Sequence, residues 1–87
     1  MANLGVVVRP LSGDESRQIQ ARGLLVLDVE GAAAAAGLQP GDIILAVNNE
    51  PVASVEQLRD RIRAARGRLA LLVQRGDTRI FVPVRIK

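Results

Sequence analysis

Cysteine, histidine, tryptophan and tyrosine are all missing from the 87 residues, and Phe81 is the one aromatic. Without cysteine there is no disulfide and no thiolate metal site, and the redox compartment stays open. Without histidine, the Ser-His-Asp triad, the Cys-His dyad and nearly every zinc site are excluded together. A single aromatic denies the chain the stacking platform used by binders of single-stranded nucleic acid. It also leaves the core to Val, Leu, Ile and Ala in a composition that is 48% apolar. No apolar run approaches the ~18 residues of a membrane span, so no membrane insertion is expected. No basic-then-apolar leader is visible, and an export signal is expected to lie outside this sequence.

What charge there is does not look catalytic. Asp14, Glu15, Asp28, Glu30, Asp42, Glu50, Glu56, Asp60 and Asp77 are scattered among arginines rather than paired in apolar surroundings. No tuned acid, base or nucleophile stands out; Ser12, Ser16 and Ser54 each fit a turn or a helix cap. The net charge of +3 comes from eleven arginines and one lysine. Arg59, Arg61, Arg63, Arg66 and Arg68 are interrupted by Asp60 and apolar positions, which is the pattern of a solvated helix face rather than a nucleic-acid patch. A chain of this length makes one domain, residues 1–87, near the lower limit of what folds without staples. It reads as a binding module that is not itself an enzyme and needs no metal or cofactor.

The order of elements follows from turn signals and periodicity. Val6-Val7-Val8, ended by Pro10, predicts a strand. Ser12-Gly13-Asp14 predicts a turn, and Glu15 to Ala21 a brief helical turn. Leu24 to Val29 is apolar on both faces and predicts a central strand. Ala32 to Ala36 predicts a short helix closed by Gly37. Ile43 to Val47 predicts a third strand, with Val52 the stub of a fourth. Ser54 and Gln57 form a capping box that opens the best helix, closed by Gly67. Val55, Leu58, Ile62 and Ala65 share one face of it. Leu69 to Gln74 and Thr78 to Ile86 predict a hairpin turning at Gly76-Asp77. Arg75-Gly76-Asp77 is also the tripeptide that integrins recognise, but the turn accounts for Gly-Asp here. The sum is a small α+β domain of five or six strands with two helices capping the open ends.

The stretch Gly31 to Leu58, "GAAAAAGLQPGDIILAVNNEPVASVEQL", resembles the signature of PDZ domains in the HtrA/DegP family of serine proteases. That signature runs roughly S-P-A-A-x-A-G-L-x-x-G-D-x-I-x-x-(V/I)-(N/D)-(G/N)-x-x-V-x-(S/N)-x-x-x-(L/F). Gly31 stands where the family usually has a serine N-cap, and Ala32 where it has proline. The resemblance implies a partly open β-barrel or sandwich in the circularly permuted bacterial strand order, with Leu38 to Asp42 as a scaffold corner. It implies a peptide-binding module, the C-terminal PDZ domain of a periplasmic DegP-type or DegQ-like protease. Such a module takes C-terminal or unfolded segments of substrate proteins and contacts other domains or subunits of the parent.

In that family a peptide adds as an extra strand, and its terminal carboxylate is held by backbone N–H groups. The matching carboxylate-binding loop is Leu4, Gly5 and Val6, and the pairing strand is Val6, Val7 and Val8. Leu4, Val6 and Val8 alternate onto one face. From the late helix, Val55, Arg59 and Ile62 take the groove-facing positions and Leu58 the core position. Periodicity alone leaves Val6, Val8, Val55 and Ile62 equally readable as plain core residues, and Gly5 as a glycine that simply opens a strand. Two rivals stand beside this function: an assembly module whose groove is unused, and a PDZ domain of a membrane protease or secretion protein outside the HtrA family.

Overall fold

In the computed structural model, which describes residues 5–85, alternating apolar residues build one antiparallel sheet. Its strands are β1 (Val6–Pro10), β2 (Leu24–Val29), β3 (Ile43–Val47), β4 (Glu50–Pro51), β5 (Arg68–Arg75) and β6 (Thr78–Arg85). The order is β1-β2-β3-β5-β6, with β4 paired to β3 off that path. The helices are α1 (Gly13–Ile19), α2 (Gly31–Ala35) and α3 (Val55–Ala64). The apolar sides of α2 and α3 and one face of the sheet close a core around Leu24, Val26, Ile44, Val47, Leu71 and Val73.

Turn chemistry fixes the registers. Asn48 and Asn49 both have positive φ, 50° and 68°, the pattern of the type I′ turn that joins strands with the sheet's own twist. Asn48 also reaches β5, where its Oδ1 accepts the Ala70 N–H at 2.8 Å. At the β5–β6 turn, Gly76 (φ 60°) takes the first central position between the paired Arg75 and Thr78. Helix α2 ends in a Schellman motif: Leu38 N–H donates to Ala33 O and Gly37 N–H to Ala34 O, both at 3.1 Å.

The corner after α2 is riveted from beneath. Asp42 is only 2% exposed, and Arg75 grips it with two hydrogen bonds, Nε to Oδ1 at 2.9 Å and Nη2 to Oδ2 at 2.6 Å. Gln39 N–H donates to Asp42 Oδ2 at 3.0 Å, and Arg75 Nη2 also donates to Gly37 O at 3.0 Å. A buried carboxylate is tolerable only when so fully partnered. Arg75 is therefore a structural residue, directed at the corner rather than at an external receptor.

Four local expectations need correction. Ser12 does not begin a turn but caps a helix of seven residues: its Oγ accepts the Glu15 N–H at 3.1 Å, and Glu15 Oε1 accepts the Ser12 N–H at 2.8 Å. The N-cap of α2 is Glu30 rather than Gly31, with Gly31 at the first helical position and φ 56°. The fourth strand is Glu50–Pro51, and Val52 follows it into the core. Strand β2 has neighbours on both edges, yet one face is open: Leu27 is 47% exposed.

Candidate functional site

Strand β1 lies at one edge of the sheet, paired only to β2 along the described order. Its two ends are tied to the chain around β2: Glu30 N–H donates to Gly5 O at 2.7 Å, and Leu11 N–H to Gly23 O at 3.2 Å. The register slips between Val7 and Val8, so this edge carries a bulge. Val6 and Val8 are half-buried against the core, while Val7 points out and is 56% exposed. The alternation expected of a strand with one groove-lining face is present on Val6 and Val8. Leu4, the third residue assigned to that face, lies outside the described residues.

Helix α3 packs beside β1. Ser54 caps it, accepting Gln57 N–H at 3.1 Å, while Gln57 Oε1 accepts the Ala53 N–H at 2.7 Å. Arg61 forms an ion pair with Glu50 at 3.1 Å that ties the helix to β4. On the helix, Leu58 is buried, Val55 half-buried and Arg59 exposed. Ile62 is 8% exposed and belongs to the core cluster. Of the three helix residues assigned to the groove, Val55 keeps part of its surface in solvent and Arg59 is exposed. Ile62 is a core residue.

Gly5 has φ 84°, and a Cβ there would sit 2.1 Å from the Glu30 carbonyl oxygen. Both facts demand glycine for reasons internal to the fold: the chain crosses the end of β2 at backbone contact. A concavity of about 260 Å³ flanks this end of β1, lined by Gly5, Val6, Val7, Asp28, Val29 and Glu30. Sequence reading missed Asp28 and Glu30, because only the antiparallel return of β2 brings them to Gly5. At the far end of β1, Arg9 is held by Glu15 through two hydrogen bonds of 2.8 Å. That guanidinium, with the Ser12 N–H, lowers the Glu15 carboxyl to about 2. A wider concavity of about 600 Å³ lies elsewhere, between α2 and the β5–β6 hairpin.

Residues 25–75 match the family model described as "PDZ domain". The chain belongs to the PDZ domain family. Among curated relatives, this PDZ domain is 36% identical over 89 residues to a probable periplasmic serine endoprotease DegP-like of Chlamydia trachomatis, covering 94% of the chain and 18% of that protein. It is 36% identical over 69 residues to the periplasmic serine endoprotease DegP of Salmonella typhimurium, covering 77% of the chain and 14% of that protein. The chain therefore spans less than a fifth of the length of either. Among solved structures, the HtrA3 PDZ domain bound to the phage-derived ligand FGRWV superposes with a TM-score of 0.85 at 22% identity, covering 100% of this chain and 86% of that one. The HtrA-type protease AlgW with a decapeptide superposes with a TM-score of 0.80 at 24% identity, covering 98% of this chain and 28% of that one. These likenesses establish the PDZ fold, an open six-stranded antiparallel sheet with a few helices.

Proposed function

We propose that this PDZ domain captures apolar C-terminal or extended polypeptide segments by strand addition to β1, on behalf of a DegP-type periplasmic serine protease. The observation that carries the proposal is the edge strand β1 lying against α3, with Val6 and Val8 turned toward the helix side and Val55 and Arg59 bordering it. An added strand gains main-chain hydrogen bonds, and alternate side chains enter the apolar groove. A deep cavity is not required for this mode. The second sheet edge is less suited: β6 carries Pro83, which lacks an N–H, between Arg79 and Arg85.

The ligand FGRWV bound to the similar HtrA3 domain ends in two apolar residues, consistent with apolar anchoring of the same kind here. Carboxylate capture is assigned to the backbone of the loop Leu4, Gly5 and Val6. Asp28 and Glu30 beside that loop oppose an incoming carboxylate, so its donors must outweigh them. Hydrolysis, if the parent is a protease, belongs to a different part of that protein, since this chain has no histidine to serve as the usual base. Amide chemical-shift mapping of the 87-residue chain with a free-acid apolar pentapeptide tests the site. Shifts should concentrate on residues 5–9 and on α3; shifts confined to α2, β5 and β6 would contradict it.

A further inference from the structure

A second concavity of the PDZ domain lies between α2 and the β5–β6 hairpin. Ala32 of α2 and the helix's C-cap Ala36 line the concavity of about 600 Å³ together with Ala70 of β5, Pro83 of β6, Arg68 and Arg85. Ala70 pairs with Pro83 and Arg68 with Arg85, so the two pairs are matched rows of the same hairpin. The next outward row adds Leu72 and Phe81, and Phe81 is 66% exposed. The chain's one aromatic is thus on an open surface, two residues along β6 from Pro83.

Charge identifies the occupant. No Asp or Glu lines the concavity. Arg68 and Arg85, which line it, form no ion pair among the described residues, as is true also of Arg22, Arg59, Arg63, Arg66 and Arg79, so their charge is open to a ligand's carboxylates. We infer that the α2/β5–β6 groove docks an acidic, leucine-bearing segment of another polypeptide, its apolar side chains on the alanine–proline floor and its carboxylates on Arg68 and Arg85. A second copy of this domain fits poorly, because a two-fold contact would set arginine against arginine. An anionic lipid surface fits poorly as well, because the apolar floor is recessed rather than protruding. Pro83 removes a backbone donor from the edge strand, so the segment is held by side chains rather than as a further strand.

The probe is an eight-residue peptide of four Glu-Leu repeats, acetylated and amidated so that it offers no terminal carboxylate. Titrated into the isotope-labelled 87-residue chain, it should shift amides of residues 32–36, 68–72 and 79–85. The double variant Arg68→Ala, Arg85→Ala should weaken binding at least tenfold, while the affinity of a free-acid apolar peptide for β1 stays within twofold of the parent. A peptide of Lys-Leu repeats should bind at least tenfold more weakly than the acidic one. Shifts confined to β1 and α3, equal binding of the two repeat peptides, or no loss in a folded double variant would overturn the inference. So would the same shifts arising without peptide as concentration rises, or vesicles of anionic phospholipid binding more tightly than the acidic peptide.

Discussion

Gly5 meets a fold requirement at the position where carboxylate capture is proposed. Its positive φ and its contact with Glu30 O together forbid a side chain. Gly5→Ala should cost about 1–3 kcal/mol from the backbone conformation alone, and more once the Glu30 clash is met. Chemical denaturation of the variant measures it; an unchanged midpoint would show that the loop relaxes freely. On α3, one-residue resolution comes from a neighbouring pair. Leu58→Ala should destabilise by about 2–5 kcal/mol as a core truncation. Arg59→Ala should stay within about 0.5 kcal/mol while changing the preference among peptide ligands. Denaturation midpoints ranked the other way would put the helix register out by one residue. That register was readable from spacing, since Leu58 and Ile62 flank the centre of the apolar stripe and both are buried. The burial of Ile62 was one of two readings the spacing allowed, and the groove-facing assignment came from the family resemblance rather than from the periodicity.

At the scale of elements, the two helices that flank β1 are both opened by a serine cap, yet only one was legible as such. Ser54 precedes an apolar stripe that announces a helix. Ser12 precedes Gly-Asp, which suggests a turn, and α1 has no buried residue to give it a period. Its helix is held instead by the Ser12–Glu15 capping box and by Arg9, which Glu15 grips from β1. The same S-x-x-E spacing was present in the sequence; the Arg9 contact depends on tertiary structure and was not. This pair makes a pH prediction. The Glu15 carboxyl is lowered to about 2, first by the Arg9 hydrogen bond. A carboxyl lowered by folding adds stability that is present above its ordinary value near 4.5 and lost as pH falls toward 2. Glu15→Gln should therefore be less stable than the parent at pH 7, and the gap should close between pH 5 and 2. Thermal unfolding across that range decides it, and a gap that is constant with pH would remove the ion pair from the explanation.

For the whole molecule, the corner Leu38 to Asp42, expected to be scaffold, is bolted to the β5–β6 hairpin through Arg75 and Asp42. The order of elements along the chain and the two Asn and Gly turns were legible because each turn type demands its residues. The bulge at Val7/Val8 and the approach of Asp28 and Glu30 to Gly5 were not, because they arise only when β2 returns alongside β1. What the scaffold leaves available is an edge strand beside a helix at one end of the sheet and a proline-guarded edge at the other. Strand addition should therefore occur at β1, and the most direct measurement is calorimetric. One apolar peptide is titrated into the 87-residue chain as the free acid and again as the C-terminal amide. The free acid should bind with a dissociation constant on the order of micromolar to tens of micromolar, and the amide at least tenfold more weakly. Equal affinities, or no heat from either form, would contradict capture of a C-terminus at this edge.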